Sequence, residues 1–149
     1  MNTLVKSIWA FVIISTLSFS FEIFAKCNFN DMKPNLNEVE NDYIYIKSHN
    51  IEYKGRKDNQ KNIYKVLLTS GKVYKINVFD ENQKGSKMIV TLYDQKDKEL
   101  FSNYLPQTKS YFTSLLYDCK QTGIYYLGFH FQEEVPGCGI ASLSFKKKR

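Results

Sequence analysis

Thr122-Gly123-Ile124-Tyr125-Tyr126-Leu127-Gly128-Phe129-His130-Phe131 is the stretch on which the fold class turns. Thr122-Gly123 is a turn signal, and the residues after it alternate: Tyr125, Leu127, Phe129 and Phe131 share one parity, Ile124, Tyr126, Gly128 and His130 the other. Successive side chains of a strand point to opposite faces, so one face of this segment is wholly apolar. Apolar residues at the three-to-four spacing of a helix are absent from it. The segment from Ile124 to Phe131 therefore reads as a strand with its first parity turned to a core.

The same pattern extends outward in both directions. Tyr74, Ile76 and Val78 share a face within Val73 to Phe79; Met88, Val90 and Leu92 oppose Ile89, Thr91 and Tyr93; Ala141, Leu143 and Phe145 align within Gly139 to Phe145. Ile63 to Leu68, followed by Ser70-Gly71, is expected to form a hairpin with Val73 to Phe79. Shorter strands are expected at Glu99 to Ser102, at Tyr111 to Tyr117 and early on at Tyr43-Ile44-Tyr45-Ile46. Parallel neighbours need crossovers of a dozen residues or more, and no helical segment separates these strands to provide them. The expected fold is all-β: an antiparallel two-sheet β-sandwich or jelly roll.

The N-terminus is of a different kind. Lys6 precedes an unbroken apolar run from Ile8 to Phe21, closed by Glu22, which is the layout of a secretory signal and too short for a membrane span. Residues 1–25 are expected to be removed after Ala25, so that the protein is secreted or periplasmic with no transmembrane segment left. Residues 26–62 form a polar lead-in with one short strand, and residues 63–149 the sandwich, the two making one domain. Loss of the leader removes Lys6 and Glu22, one charge of each sign, so the net charge stays +6. An exported chain has little access to nucleic acid, and none is expected as a partner despite the basic excess.

Three cysteines in an exported chain suggest one disulfide and one thiol. Cys119 and Cys138 flank the strand Ile124 to Phe131, whose eight residues span roughly 26 Å. A disulfide tolerates a Cα separation of only about 4.4–6.8 Å. Cys27 is therefore expected to be one partner, with Cys119 or Cys138 as the other; these two readings stay open.

Chemistry is sparse. There is no Gly-x-Ser-x-Gly elbow, no His-Glu-x-x-His pair and no phosphate-cradling glycine loop. A role for His49 or His130 would need partners that the sequence does not name; His130, at the parity of Tyr126 and Ile124, reads as a side chain on a sheet face, Glu133-Glu134 as charges at a loop tip, and Lys146-Lys147-Lys148-Arg149 as a solvated tail that can contact an anionic envelope. Neither catalytic residues, nor a metal, nor a cofactor is expected. Tyrosine is the abundant side chain able to recognise a ligand, having a flat apolar body and a polar tip. Tyr93, Tyr104 and Tyr111 are the candidate ligand contacts.

Tyr64 ahead of a strand, Gly71-Lys72-Val73-Tyr74-Lys75-Ile76, Val90-Thr91-Leu92-Tyr93-Asp94 and Thr122-Gly123-Ile124-Tyr125-Tyr126-Leu127 together resemble the jelly-roll domains at the C-termini of secreted bacterial peptidases, the pre-peptidase C-terminal domains. The chain is also similar to uncharacterised exported β-sandwich proteins of Bacteroidetes-type bacteria. The resemblance implies a fold and an exported address, and no activity. Where the peptidase-borne domains often carry an acidic pair, this chain has Lys87-Met88, so no calcium site is expected. The function expected is that of an exported, non-catalytic binding or accessory module for an envelope protein or polysaccharide. A structural or assembly component of the envelope is the alternative, and a hydrolase the third. A tyrosine-lined groove would favour a ligand module, a flat apolar patch assembly, and a pocket pairing His130 with a carboxylate an enzyme.

Overall fold

Leu68, Tyr74, Ile76, Val90, Leu92, Leu127, Phe131 and Leu143 are all almost fully buried, and each lies on the apolar parity of its segment. The computed structural model describes residues 27–32, 42–55, 62–81, 87–132 and 136–148. The expected leader at residues 1–25 and Glu133-Glu134 lie outside the described residues.

The strands are β1 (Ile44–Tyr53), β2 (Asn62–Leu68), β3 (Lys72–Asp80), β4 (Met88–Tyr93), β5 (Glu99–Ser102), β6 (Tyr104–Leu105), β7 (Ser110–Tyr111), β8 (Ser114–Cys119), β9 (Gly123–Phe131) and β10 (Gly137–Lys147). A single turn of helix, α1 (Phe29–Met32), precedes them. Two four-stranded sheets, β1-β10-β3-β8 and β2-β9-β4-β5, pack face to face, and β6-β7 is a separate small ribbon. Every pairing is antiparallel. Apart from the β4-β5 hairpin, neighbours within each large sheet are distant in sequence, because the chain crosses to the other sheet at almost every turn. That strand order is a jelly roll.

The inward faces are those the alternation indicates. Tyr74, Ile76 and Val78 of β3, Met88, Val90 and Leu92 of β4, Tyr125, Leu127, Phe129 and Phe131 of β9, and Ala141 and Leu143 of β10 make one continuous core. Phe101 of β5 meets Tyr117 of β8 at 5.5 Å between ring centroids, closing the core on one side. Burial of each large side chain contributes roughly 1.5–3 kcal/mol.

Three expectations need correction. β2 and β3 are not a hairpin: β2 pairs with β9 in one sheet, whereas β3 pairs with β10 and β8 in the other. The turn between them, with Gly71 at φ +76°, arches across the sandwich, and the Thr69 N–H donates to the Tyr74 hydroxyl at 2.8 Å. A short turn between two strands looks the same in sequence whether it closes a ladder or bridges two layers. The strand expected at 43–46 runs from Ile44 to Tyr53, because Lys47, Asn50 and Glu52 on its exposed positions mask His49 and Ile51, which reach the interior. The segment expected as one strand from Tyr111 to Tyr117 is broken at Phe112 and Thr113, where the chain leaves the β6-β7 ribbon and joins β8.

The disulfide is Cys27–Cys138, with a Cα separation of 5.6 Å, and Cys119 is a buried free thiol. Cys138 shares the outward parity of Ile140 and Ser142, so the bond holds α1 against the outer face of β10. Ile140, next to this cover, is 0% exposed, and Ser142 and Ser144 farther along β10 are 5% and 4% exposed, although all three point away from the core.

Candidate functional site

Among the described residues the outer face of β2-β9-β4-β5 has no such cover. Across it the strand register sets Leu67 beside Ile124, Lys65 beside Tyr126 beside Tyr93, and Ile63 beside Gly128 beside Thr91. Directly opposed residues of an antiparallel pair have Cβ atoms about 4.5–5.5 Å apart, so these rows form a continuous surface. Leu67, Ile63 and Ile124 are 68%, 50% and 38% exposed, and Tyr126 and Tyr93 are half-buried between them. Gly128 makes the packing possible: a Cβ there would lie 2.9 Å from Cε2 of Tyr93, whose ring rests over the bare backbone. The second row ends in a carboxylate, because Glu99 of β5 is the register partner of Tyr93.

Further exposed apolar residues lie on the edge strand of the other sheet. His49 on β1 meets Tyr64 on β2 at 4.2 Å between centroids, which sets the two edge strands one above the other. On β1, Ile44, Tyr45 and Ile46 are 59%, 52% and 40% exposed. A register shift between Tyr45 and Lys47, together with the Lys47 charge, interrupts the free edge against further strand pairing.

The three candidate tyrosines are not one site. Tyr104 and Tyr111 face each other across β6-β7 and stack on one another, with centroids 4.7 Å apart. Tyr111 lines a cavity of about 350 Å³ with Met32, Phe79, Met88, Asn103 and Phe112. Tyr93 lies at the far end of β4 from Met88, five residues or about 16 Å of extended chain away. Its neighbour is Tyr126, a residue whose parity is legible in sequence but whose partner emerges only from the register.

Asn103 was missed because it reads as an ordinary loop residue. It is 2% exposed, and its side-chain oxygen accepts from the Val90 N–H at 2.8 Å while its amide nitrogen donates to the carbonyls of Met88 (3.1 Å) and Phe112 (3.2 Å). These bonds pin the β6-β7 ribbon to the start of β4. A second internal network joins Tyr117, Tyr125 and Cys119: the Tyr125 hydroxyl donates to the Gln121 carbonyl at 2.8 Å and the Cys119 thiol to the same oxygen at 3.2 Å. Burial, then the hydrogen bond to Tyr117, pushes the Tyr125 hydroxyl to a higher pKa.

The histidines lie on opposite faces of the second sheet. His49 is inside, against Tyr64 and Phe129, and its buried Nε2 has no hydrogen-bond partner. Burial, with the Lys47 charge second, lowers its pKa to about 4. His130 points outward from β9 beside Ile89. Among the described residues no three His, Cys, Asp or Glu side chains converge as a metal site would require, and no helix is long and apolar enough to cross a membrane. Comparison with known protein families and with curated proteins finds no match.

Proposed function

We propose that this chain is an exported, non-catalytic binding or accessory module that docks a protein of the envelope through the open face of β2-β9-β4-β5. The observation that carries the reading is the exposure of Leu67, Ile63 and Ile124 around Tyr126 and Tyr93, with Glu99 the one carboxylate in these rows. Contiguous exposed apolar area on a folded domain marks an interaction site, and aromatic residues with few acidic ones are the composition of interface centres. Export is supported by the apolar leader from Ile8 to Phe21 and by the Cys27–Cys138 bond, since disulfides persist in oxidising compartments. The resemblance to the domains of secreted peptidases agrees with an accessory role. An extended, flat surface suits a protein partner better than a sugar, for which a groove would be expected.

A photo-crosslinking residue placed at Leu67 or Ile124 in the exporting cell tests the reading, with Lys96 in the β4-β5 turn as the control site. Adducts of one discrete mass from positions 67 and 124, absent from position 96, are expected. An adduct of twice the chain's mass would assign the face to self-assembly instead. No adduct, or equal labelling at all three positions, would overturn the proposal.

A further inference from the structure

A second surface, on the other sheet, differs from the first in its chemistry. A cleft of about 510 Å³ is lined by Asp42, Val73, Lys146, Lys147 and Lys148. The register sets Lys146 beside Val73 on the outward parity and Lys147 beside Lys72 on the other, so the lysines gather at one end of the β1-β10-β3-β8 sheet, with Lys146, Lys147 and Lys148 on the cleft wall and Lys72 outside it. Aromatic rings hold two of them in place. The Lys146 ammonium lies 4.7 Å from the centre of the buried Tyr43 ring, and the Lys72 ammonium 4.1 Å from that of Phe145. A ring fixes a cation without neutralising it. Among the described residues Lys72, Lys146 and Lys147 have no carboxylate partner, whereas Lys148 and Lys120 share Asp118. Lys148 is held in addition through its N–H, which donates to the Gly71 carbonyl at 3.1 Å. The basic run at the end of the sequence is thus part of the last strand up to Lys147, and its charges are positioned by the fold.

We infer that this cleft binds the acid groups of a polyanionic chain, specifically an acidic polysaccharide. Lysine ammonium groups act as point charges without the fork geometry of arginine, so they attract closely spaced carboxylates without reading a planar pair. A cleft of this size admits one charged unit of a flexible chain. A bilayer surface is the less suitable occupant. The aromatic ring here, Tyr43, is buried beneath Lys146 instead of projecting to insert, and Asp42 on the cleft wall would oppose a uniformly negative plane. The inference does not depend on the open face of the other sheet.

The test is binding of the full mature chain to polygalacturonate, to neutral dextran and to phosphatidylglycerol vesicles, measured across a series of salt concentrations. Polygalacturonate binding that weakens with salt is expected, with no binding to dextran and weaker binding to vesicles. The double substitution Lys146→Gln, Lys147→Gln should weaken polygalacturonate binding at least about tenfold and flatten its salt dependence. Lys96→Gln, Lys98→Gln, which removes the same charge from an exposed turn, should leave it within about twofold. Equal losses in the two variants would show that only net charge matters and overturn the site. Preferential binding to vesicles, or none to polygalacturonate, would overturn the ligand.

Discussion

The two outer faces of the sandwich carry similar residues and are treated oppositely. Ile140 on one and Ile124 on the other both point away from the core in a central strand, yet Ile140 is 0% and Ile124 38% exposed. The difference lies in what lies over each sheet. The disulfide and α1 close the first face, whereas nothing among the described residues crosses the second at Leu67 and Ile124. An outward apolar residue in a β-sandwich therefore has two different meanings, and the covering segment decides which applies.

The same substitution on the two faces breaks or upholds this contrast. Ile140→Lys should destabilise the domain by about 5 kcal/mol or more, because it removes a buried aliphatic side chain and leaves a buried charge unpaired. That is enough to abolish folding in a domain of ordinary stability. Denaturant unfolding measures it, and a cost under about 1 kcal/mol would show that Ile140 is not covered.

Removing the disulfide acts on the cover itself. Cys27 and Cys138 are 111 residues apart, and opening a loop of that length costs about 4–5 kcal/mol in the chain-entropy account. Cys138→Ser should lower stability by up to that amount. Amide exchange should rise first at Ile140 to Ser144 while Tyr125 to Phe129 stays protected. Uniform exchange would mean that the two sheets are not covered independently.

His49, between the two sheets, sharpens the comparison with a pH dependence. Its pKa is about 4 in the folded chain against an ordinary value of 6.5, so the unfolded chain binds more protons in between and stability is lost as pH falls through that window. The groups around it offer no compensation: Lys47 repels the imidazolium, and Tyr64, Phe129 and Ala141 supply no negative charge. About 3 kcal/mol should be lost between pH 6.5 and 4, with no further loss from this group below pH 4. His49→Phe should remove that loss, and a His49→Phe profile identical to that of the parent chain would assign acid sensitivity elsewhere.

Leu67→Lys carries the smallest expected effect. On the open face it should change stability by no more than about 0.5 kcal/mol while eliminating the crosslink expected from Ile124. A substantial loss of stability would mean that Leu67 is covered in the folded protein.

The alternation in β3, β4, β9 and β10 was legible because the period of two is a local property of an extended chain, and burial followed it residue by residue. The span of an extended strand likewise set Cys119 apart from Cys138. The arch from β2 to β3, the reach of β1 to Tyr53, the choice of Cys138 for Cys27 and the hold of Asn103 on β4 were not legible. Each depends on groups far apart in sequence. The site divides in the same way: sequence placed Tyr126 with Ile124 and Tyr93 with Thr91, but the register across β9 and β4 brought the tyrosines together and kept Tyr104 and Tyr111 apart from them. By itself the sequence determined which residues of each strand share a face. Only the tertiary structure decided which faces meet, which is covered and which stays open, because pairing and layering are long-range choices that a local period does not encode.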